Sequence, residues 1–294
     1  MPILARLRQW ALSRILLEAA AIVVTVVVMS RVLDLFIPPA PSPWHAGLAM
    51  LRNLIVAGLA LVVYRLMVRW LERRRAVELD LRKGSVQFPA GVAMGLALMA
   101  AVYGILWAAN VASFAPGTGL SGLGAGLVAA FLAGVFEELL FRAVLFRIVE
   151  QACGTTIALV VSAAVFGLVH GLNPGATLFS EVAIAVEAGL LLATAYALTR
   201  NLWLAIGIHA GWNFAEGNLF GALVSGHRPS HTLIHSTLTG PVALTGGNFG
   251  PEASLVSIGV CGSAALVFGL LIARRSGWRP RIFQLSAVDS PSGQ

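Results

Sequence analysis

Eight stretches of the chain run apolar for long enough to cross a lipid bilayer: 15–36, 46–68, 88–110, 122–148, 155–172, 180–199, 202–219 and 254–273. A helix rises about 1.5 Å per residue, so about 20 residues cover a hydrocarbon core of roughly 30 Å. Proline- and glycine-rich breaks separate several of the stretches: IPPAPSP at 37–43, FAPGTGLSG at 114–122 and GLNPG at 171–175. The pattern predicts an all-α integral membrane protein, a single bundle of about eight transmembrane helices, with no internal repeat. The first stretch follows a basic start, MPILARLRQW, but is longer than the apolar part of a signal peptide and has no small-residue cleavage pattern after it. It reads as a retained first span.

Composition strengthens this picture. Hydrophobic residues make up 58% of the chain and charged residues 11%, where a soluble domain carries about 25% charged residues. Too little polar material exists to cover a water-facing surface. The net charge of +7 does not point to nucleic acid, because the basic residues cluster between the apolar stretches. Arg6, Arg8 and Arg14 precede the first, and Arg69, Arg73, Arg74, Arg75, Arg82 and Lys83 separate the second from the third. Arg147 follows the fourth, Arg200 the sixth, and Arg274, Arg275, Arg279 and Arg281 the eighth, while the alternate loops hold only Arg228. By the positive-inside rule, eight spans with both termini cytoplasmic fit this asymmetry. One lysine against nineteen arginines, with abundant alanine, hints at a GC-rich bacterial genome, so a bacterial inner membrane is the expected location. Cys153 and Cys261 fall at different depths, which argues against a disulfide, and they form no metal motif.

Charges inside an apolar stretch need a reason. Each costs roughly 2.5–3.5 kcal/mol at the centre of a membrane helix, yet VFEELLFR at 135–142 holds three. Glu138 and Arg142 are four apart and can pair along one helix face. Glu137 is turned away by about 100° and has no such partner. Three more polar residues stand at similar depth. Glu138 lies sixteen residues before the turn at Gly154 and His170 sixteen after it, so an antiparallel hairpin brings them level. His209 lies roughly 12 Å beyond the turn at Arg200–Asn201, and Asn213 shares its face. Any one of these alone reads most simply as a packing or hydrogen-bonding residue between helices. All of them together, with one glutamate left over, read as a site.

These residues resemble a known pattern. EExxFR (Glu137, Glu138, Phe141, Arg142), FxxxH (Phe166, His170) and HxxxN (His209, Asn213) are similar to the motifs of the CAAX protease and bacteriocin-processing (CPBP, or Abi) intramembrane endopeptidases. LTRNLWLAIGIHAGWNF at 198–214 resembles their sequence around the last motif. The likeness covers about 122–226, expected to form the core carrying the motifs, with 1–110 as accessory helices and 254–294 as a last helix and basic cytoplasmic tail.

The chemistry follows from the residue types. An unpaired buried carboxylate suits a general base, so Glu137 with His170 is expected to hold and deprotonate water. His209 and Asn213 can donate hydrogen bonds to a developing oxyanion. The resemblance implies the same roles, with Glu138 and Arg142 holding helix geometry and Phe166 in support. Glu137, His170 and His209 are equally a ligand set for Zn2+ with one open position; the absence of HExxH and the spread over three helices favour a metal-free site. The expected partners are a protein or peptide substrate, prenylated or leader-type, and the bilayer itself. The rival readings are a non-catalytic scaffold and a transporter, although no inverted repeat is evident.

Other features weigh less. Gly117, Gly119 and Gly122 match GxGxxG, but no strand is predicted before them, which removes the dinucleotide reading. Gly122, Gly126 and Gly134 suit close helix packing. His227, His231 and His235 read as a solvated loop. Glu216 shares the face of His209 and is expected to support the site, and Glu187 is a buried acid in search of a partner. The basic stretch 69–83 could touch anionic headgroups.

Overall fold

The computed structural model describes residues 10–38 and 44–276. A helix fills each apolar window: α1 (Ala11–Asp34), α2 (His45–Glu72), α3 (Leu81–Ala108), α4 (Leu123–Cys153), α5 (Thr155–His170), α6 (Leu178–Thr199), α7 (Leu202–Asn213, continued by a π-helical turn over Phe214–Leu219) and α8 (Leu255–Ser276). Arg6, Arg8, most of the IPPAPSP break and the basic tail with Arg279 and Arg281 lie outside the described residues. The protein is an all-α membrane protein.

Six of the eight, α1, α2, α3, α4, α6 and α8, are long and apolar enough to cross a membrane. α5 has 16 residues. α7 carries the polar groups His209, Asn213 and Glu216, and its first twelve residues are nearly all buried. It packs on α3, α4 and α6, so protein rather than lipid surrounds it. The outer helices show the opposite pattern: Leu12, Leu16, Val24 and Val27 of α1 and Leu266, Val267 and Leu270 of α8 are exposed, as hydrocarbon requires.

α7 is seated by glycine. Gly91 and Gly95 of α3 face Gly207 and Gly211 of α7, and a Cβ at any of the four would collide with backbone of the other helix. Two small-xxx-small pairs thus let the backbones touch. On its other side α7 meets α4 at Gly134, where a Cβ would stand 3.2 Å from the Ile206 carbonyl oxygen. This seam was not expected of α3. Gly122, by contrast, is no packing glycine: it adopts φ 84° just before α4, under the His231 ring.

Two expectations need correction. A strand does precede the GxGxxG stretch: β1 (Ala112–Pro116) pairs antiparallel with β2 (Ile234–Leu238), with Ala112 opposite Leu238 and Pro116 opposite Ile234. It is one half of a two-stranded sheet and feeds no βαβ unit, so the dinucleotide reading still fails. Arg147 is not in a loop either, because α4 runs on to Cys153. It lies buried and bonds Glu72 through Nη1 (2.9 Å) and Nη2 (2.8 Å), with Glu18 at 3.3 Å. Arg14 and Arg74 also bond Glu72, and Arg74 bonds Glu78 at 2.8 Å. Tyr64 donates to Glu78. This network ties α1, α2, the α2–α3 connection and α4 together at the arginine-rich end. Burial alone would push the Glu78 carboxyl up, but the bonds from Arg74 and Tyr64 outweigh it and hold the group below the ordinary carboxylate range. Cys153 and Cys261 are free thiols.

Candidate active site

Glu137, Phe166, His170, His209 and Asn213 line one cavity, which encloses about 430 Å³ of non-atom space, part of it open. Each comes to it from a different local cause. Glu137 and Glu138 close the α-helical part of α4, and the next eight residues, Leu139–Phe146, wind as a π-helix; such bulges concentrate at functional sites. His170 is the last residue of α5, and His209 is fixed in depth by the glycines on either side of it in α7.

The two glutamates part company as their spacing predicts. Glu138 is fully buried and accepts from Arg142 Nη1 at 2.9 Å. Arg142 donates from Nη2 to the carbonyls of Ala188 (2.9 Å) and Gly189 (3.2 Å) in α6, and its guanidinium lies 4.5 Å from the Phe166 ring centre. Glu138 also stands 3.0 Å from His209 Nδ1 through the same Oε1, a contact that spacing along α4 could not reveal. Glu137 Oε2 is buried and makes no hydrogen bond among the described residues; it lies 3.7 Å from His170 Nε2 and 3.9 Å from His209 Nε2.

The tautomers follow. His170 Nδ1 lies 2.8 Å from the Phe166 carbonyl oxygen, which only accepts, so Nδ1 is the donor and Nε2 of a neutral ring carries the lone pair. His209 Nδ1 likewise donates to Glu138, an acceptor through its pairing with Arg142. Glu137 Oε2 and the Nε2 atoms of both rings therefore converge. Among the described residues no three His, Cys, Asp or Glu side chains are disposed to hold a metal ion. Phe166 packs at a tilt against His170 with ring centres 4.5 Å apart and meets His209 edge-on at 6.4 Å.

Glu216 does not touch His209 or Glu137. Its Oε1 accepts from the Glu252 backbone at 3.0 Å, and Glu252 accepts from Ser225 N and Oγ at 2.6 and 2.7 Å. Glu187 meets the Cys261 thiol. Glu187, Ser225 and Glu252 line the cavity behind the histidines; Ser225 and Glu252 were missed. The one usable signal was that Glu252 is the sole carboxylate in the 219–253 connection.

A second, wider hollow adjoins the first. It runs between α2 (Ala46, Ala49, Asn53) and a small-residue face of α4 (Ala125, Gly126, Ala129, Ala133), with about 1160 Å³ of non-atom space, and Asn213 borders both.

Residues 118–215 match the family model described as type II CAAX prenyl endopeptidase Rce1-like. The matched segment contains Glu137, Glu138, Arg142, Phe166, His170, His209 and Asn213, and ends just before Glu216. No curated protein and no solved structure matches the chain.

Proposed function

With residues 118–215 an Rce1-like domain of a multi-pass membrane protein, we propose that the protein is an intramembrane endopeptidase whose water is activated by Glu137 and His170. The observation that carries this is the meeting of Glu137 Oε2 with His170 Nε2 at 3.7 Å and His209 Nε2 at 3.9 Å. A water held here donates its two hydrogens to Glu137 Oε2 and His170 Nε2 and keeps a lone pair for attack. As its oxygen bonds the scissile carbonyl carbon, one water proton passes to Glu137. His209, protonated and held by Glu138, donates from Nε2 to the oxyanion, and Asn213 supplies a second donor. Collapse breaks the C–N bond and returns the proton from Glu137, through His170, to the leaving amine. Glu138 and Arg142 position His209 and the π-helical turn.

The substrate is a membrane-associated peptide of the prenylated or leader type. It enters along the hollow between α2 and α4, whose alanine and glycine face admits a chain or lipid tail as far as Asn213. The positive-inside rule assigns the arginine-rich end to the cytoplasm, and we take the membrane to be a bacterial inner membrane. The anchored Nδ1 atoms also suit a zinc site, where ligating imidazoles use their second nitrogen in this way. The metal-free reading is the one we adopt, because no HExxH occurs and Glu137, His170 and His209 come from three separate helices. Mapping of cleaved termini in cells with wild type, Glu137→Ala and His170→Ala tests the activity; identical patterns in all three would reject a protease. Purified enzyme should keep its activity through strong chelation, and loss that zinc restores would select the metal mechanism.

A further inference from the structure

The loop between α2 and α3 builds a second site. α2 ends in a π-helical turn, Val68–Glu72, and stops at Arg73, whose φ of 54° is left-handed. The chain reverses there, so Arg73, Arg74, Arg75 and Ala76 fold back against Arg65 and Arg69 around a hollow of about 1330 Å³ of non-atom space, open in part to solvent.

The charges around this hollow are unmatched. Arg74 is engaged by Glu72 and Glu78, and Arg65 gives one nitrogen to the Leu79 carbonyl at 3.0 Å. Among the described residues no carboxylate pairs with Arg65, Arg69, Arg73 or Arg75, all of them exposed. The acids nearest in sequence, Glu72 and Glu78, are already taken by Arg14, Arg74 and Arg147. Guanidinium groups gathered without a counter-charge repel one another, and their planar forks fit phosphate oxygens. Beside them, Leu66 and Trp70 at the end of a membrane-crossing helix are 58% and 53% exposed. A tryptophan there belongs at the headgroup level, and the apolar flank gives acyl chains a surface that a soluble anion would not use.

We propose that this hollow binds the phosphate of an anionic phospholipid, with Arg69, Arg73 and Arg75 as its principal ligands. Full-length protein in phosphatidylcholine nanodiscs doped with fluorescent phosphatidylglycerol gives the test. Arg69→Gln/Arg73→Gln/Arg75→Gln should weaken lipid binding by about tenfold or more. Arg82→Gln/Lys83→Gln, equally exposed in the first turn of α3, should leave it unchanged. Should the triple variant prove unstable, Arg69→Gln alone carries the same test at about fivefold. Equal loss in the control would mean diffuse surface attraction and overturn the proposal. So would retained binding in the triple variant, or full displacement of the lipid by inorganic phosphate, which would identify a soluble anion instead.

Discussion

Glu138 holds His209 by the ring: its Oε1 lies 3.0 Å from Nδ1, across 71 residues of sequence. The same oxygen takes the Arg142 guanidinium at 2.9 Å. One carboxylate thereby fixes both the tautomer of the α7 histidine and the pairing of an arginine that reaches α6.

Glu138→Gln should keep the shape and lose the charge that stabilises a protonated His209. Turnover of a peptide spanning a mapped cleavage site should fall about 10–100-fold, with KM little changed. An unchanged kcat would reduce Glu138 to packing.

Arg142→Ala leaves Glu138 charged, buried and unpaired, and should cost about 3–5 kcal/mol of stability, read as a lowered unfolding midpoint in detergent. Replacing both, as Glu138→Met/Arg142→Met, should recover most of that stability. Activity should stay lost, because His209 has no anchor. Recovery of both would separate the pair from catalysis.

Asn213 borders the cavity, and its side chain makes no hydrogen bond within the described protein. Asn213→Ala should therefore leave the unfolding midpoint alone while lowering kcat about 10²–10³-fold, the usual loss for one oxyanion donor. A change in KM only would make it a binding residue.

Glu78 sets an acid limit on stability. Its folded pKa lies below its ordinary value of 4.5, so ionised Glu78 stabilises the fold above that value. The contribution declines as pH drops below 4.5 and is gone once pH passes the lower folded pKa. Wild type should thus lose stability on acidification through this window more steeply than Glu78→Gln. Parallel curves would refute the assignment.

Gly211→Ala puts a methyl group against the Val92 backbone. It should cost about 1–3 kcal/mol and reduce activity along with stability. Ala210→Gly, one residue away and off the seam, should not reduce activity in the same way.

The hydrophobic pattern located the eight long helices, because a long apolar run has few alternatives in a bilayer. Residue spacing also divided Glu137 from Glu138, since i, i+4 geometry survives even through the π-helical turn. What spacing could not reach were contacts between distant segments. The Glu138–His209 bond joins α4 to α7, and Glu252 arrives from a connection that carries no periodicity. β1 and β2 went unseen for the same reason: each is five residues long and stabilised by a partner over a hundred residues away. Arg147 was misplaced because an arginine near a turn looks solvated until its carboxylates, Glu18 and Glu72, are brought to it from α1 and α2.

Gly91 and Gly95 lie outside the matched segment 118–215 and contribute no chemistry. They nonetheless set the height at which α7 presents its imidazole, through a contact of backbone on backbone that no side-chain change elsewhere can readjust. The matched segment is for that reason not a transplantable cassette. Grafted onto a foreign set of accessory helices, it would carry every motif and still misplace His209, unless a glycine pair at the same spacing came with it.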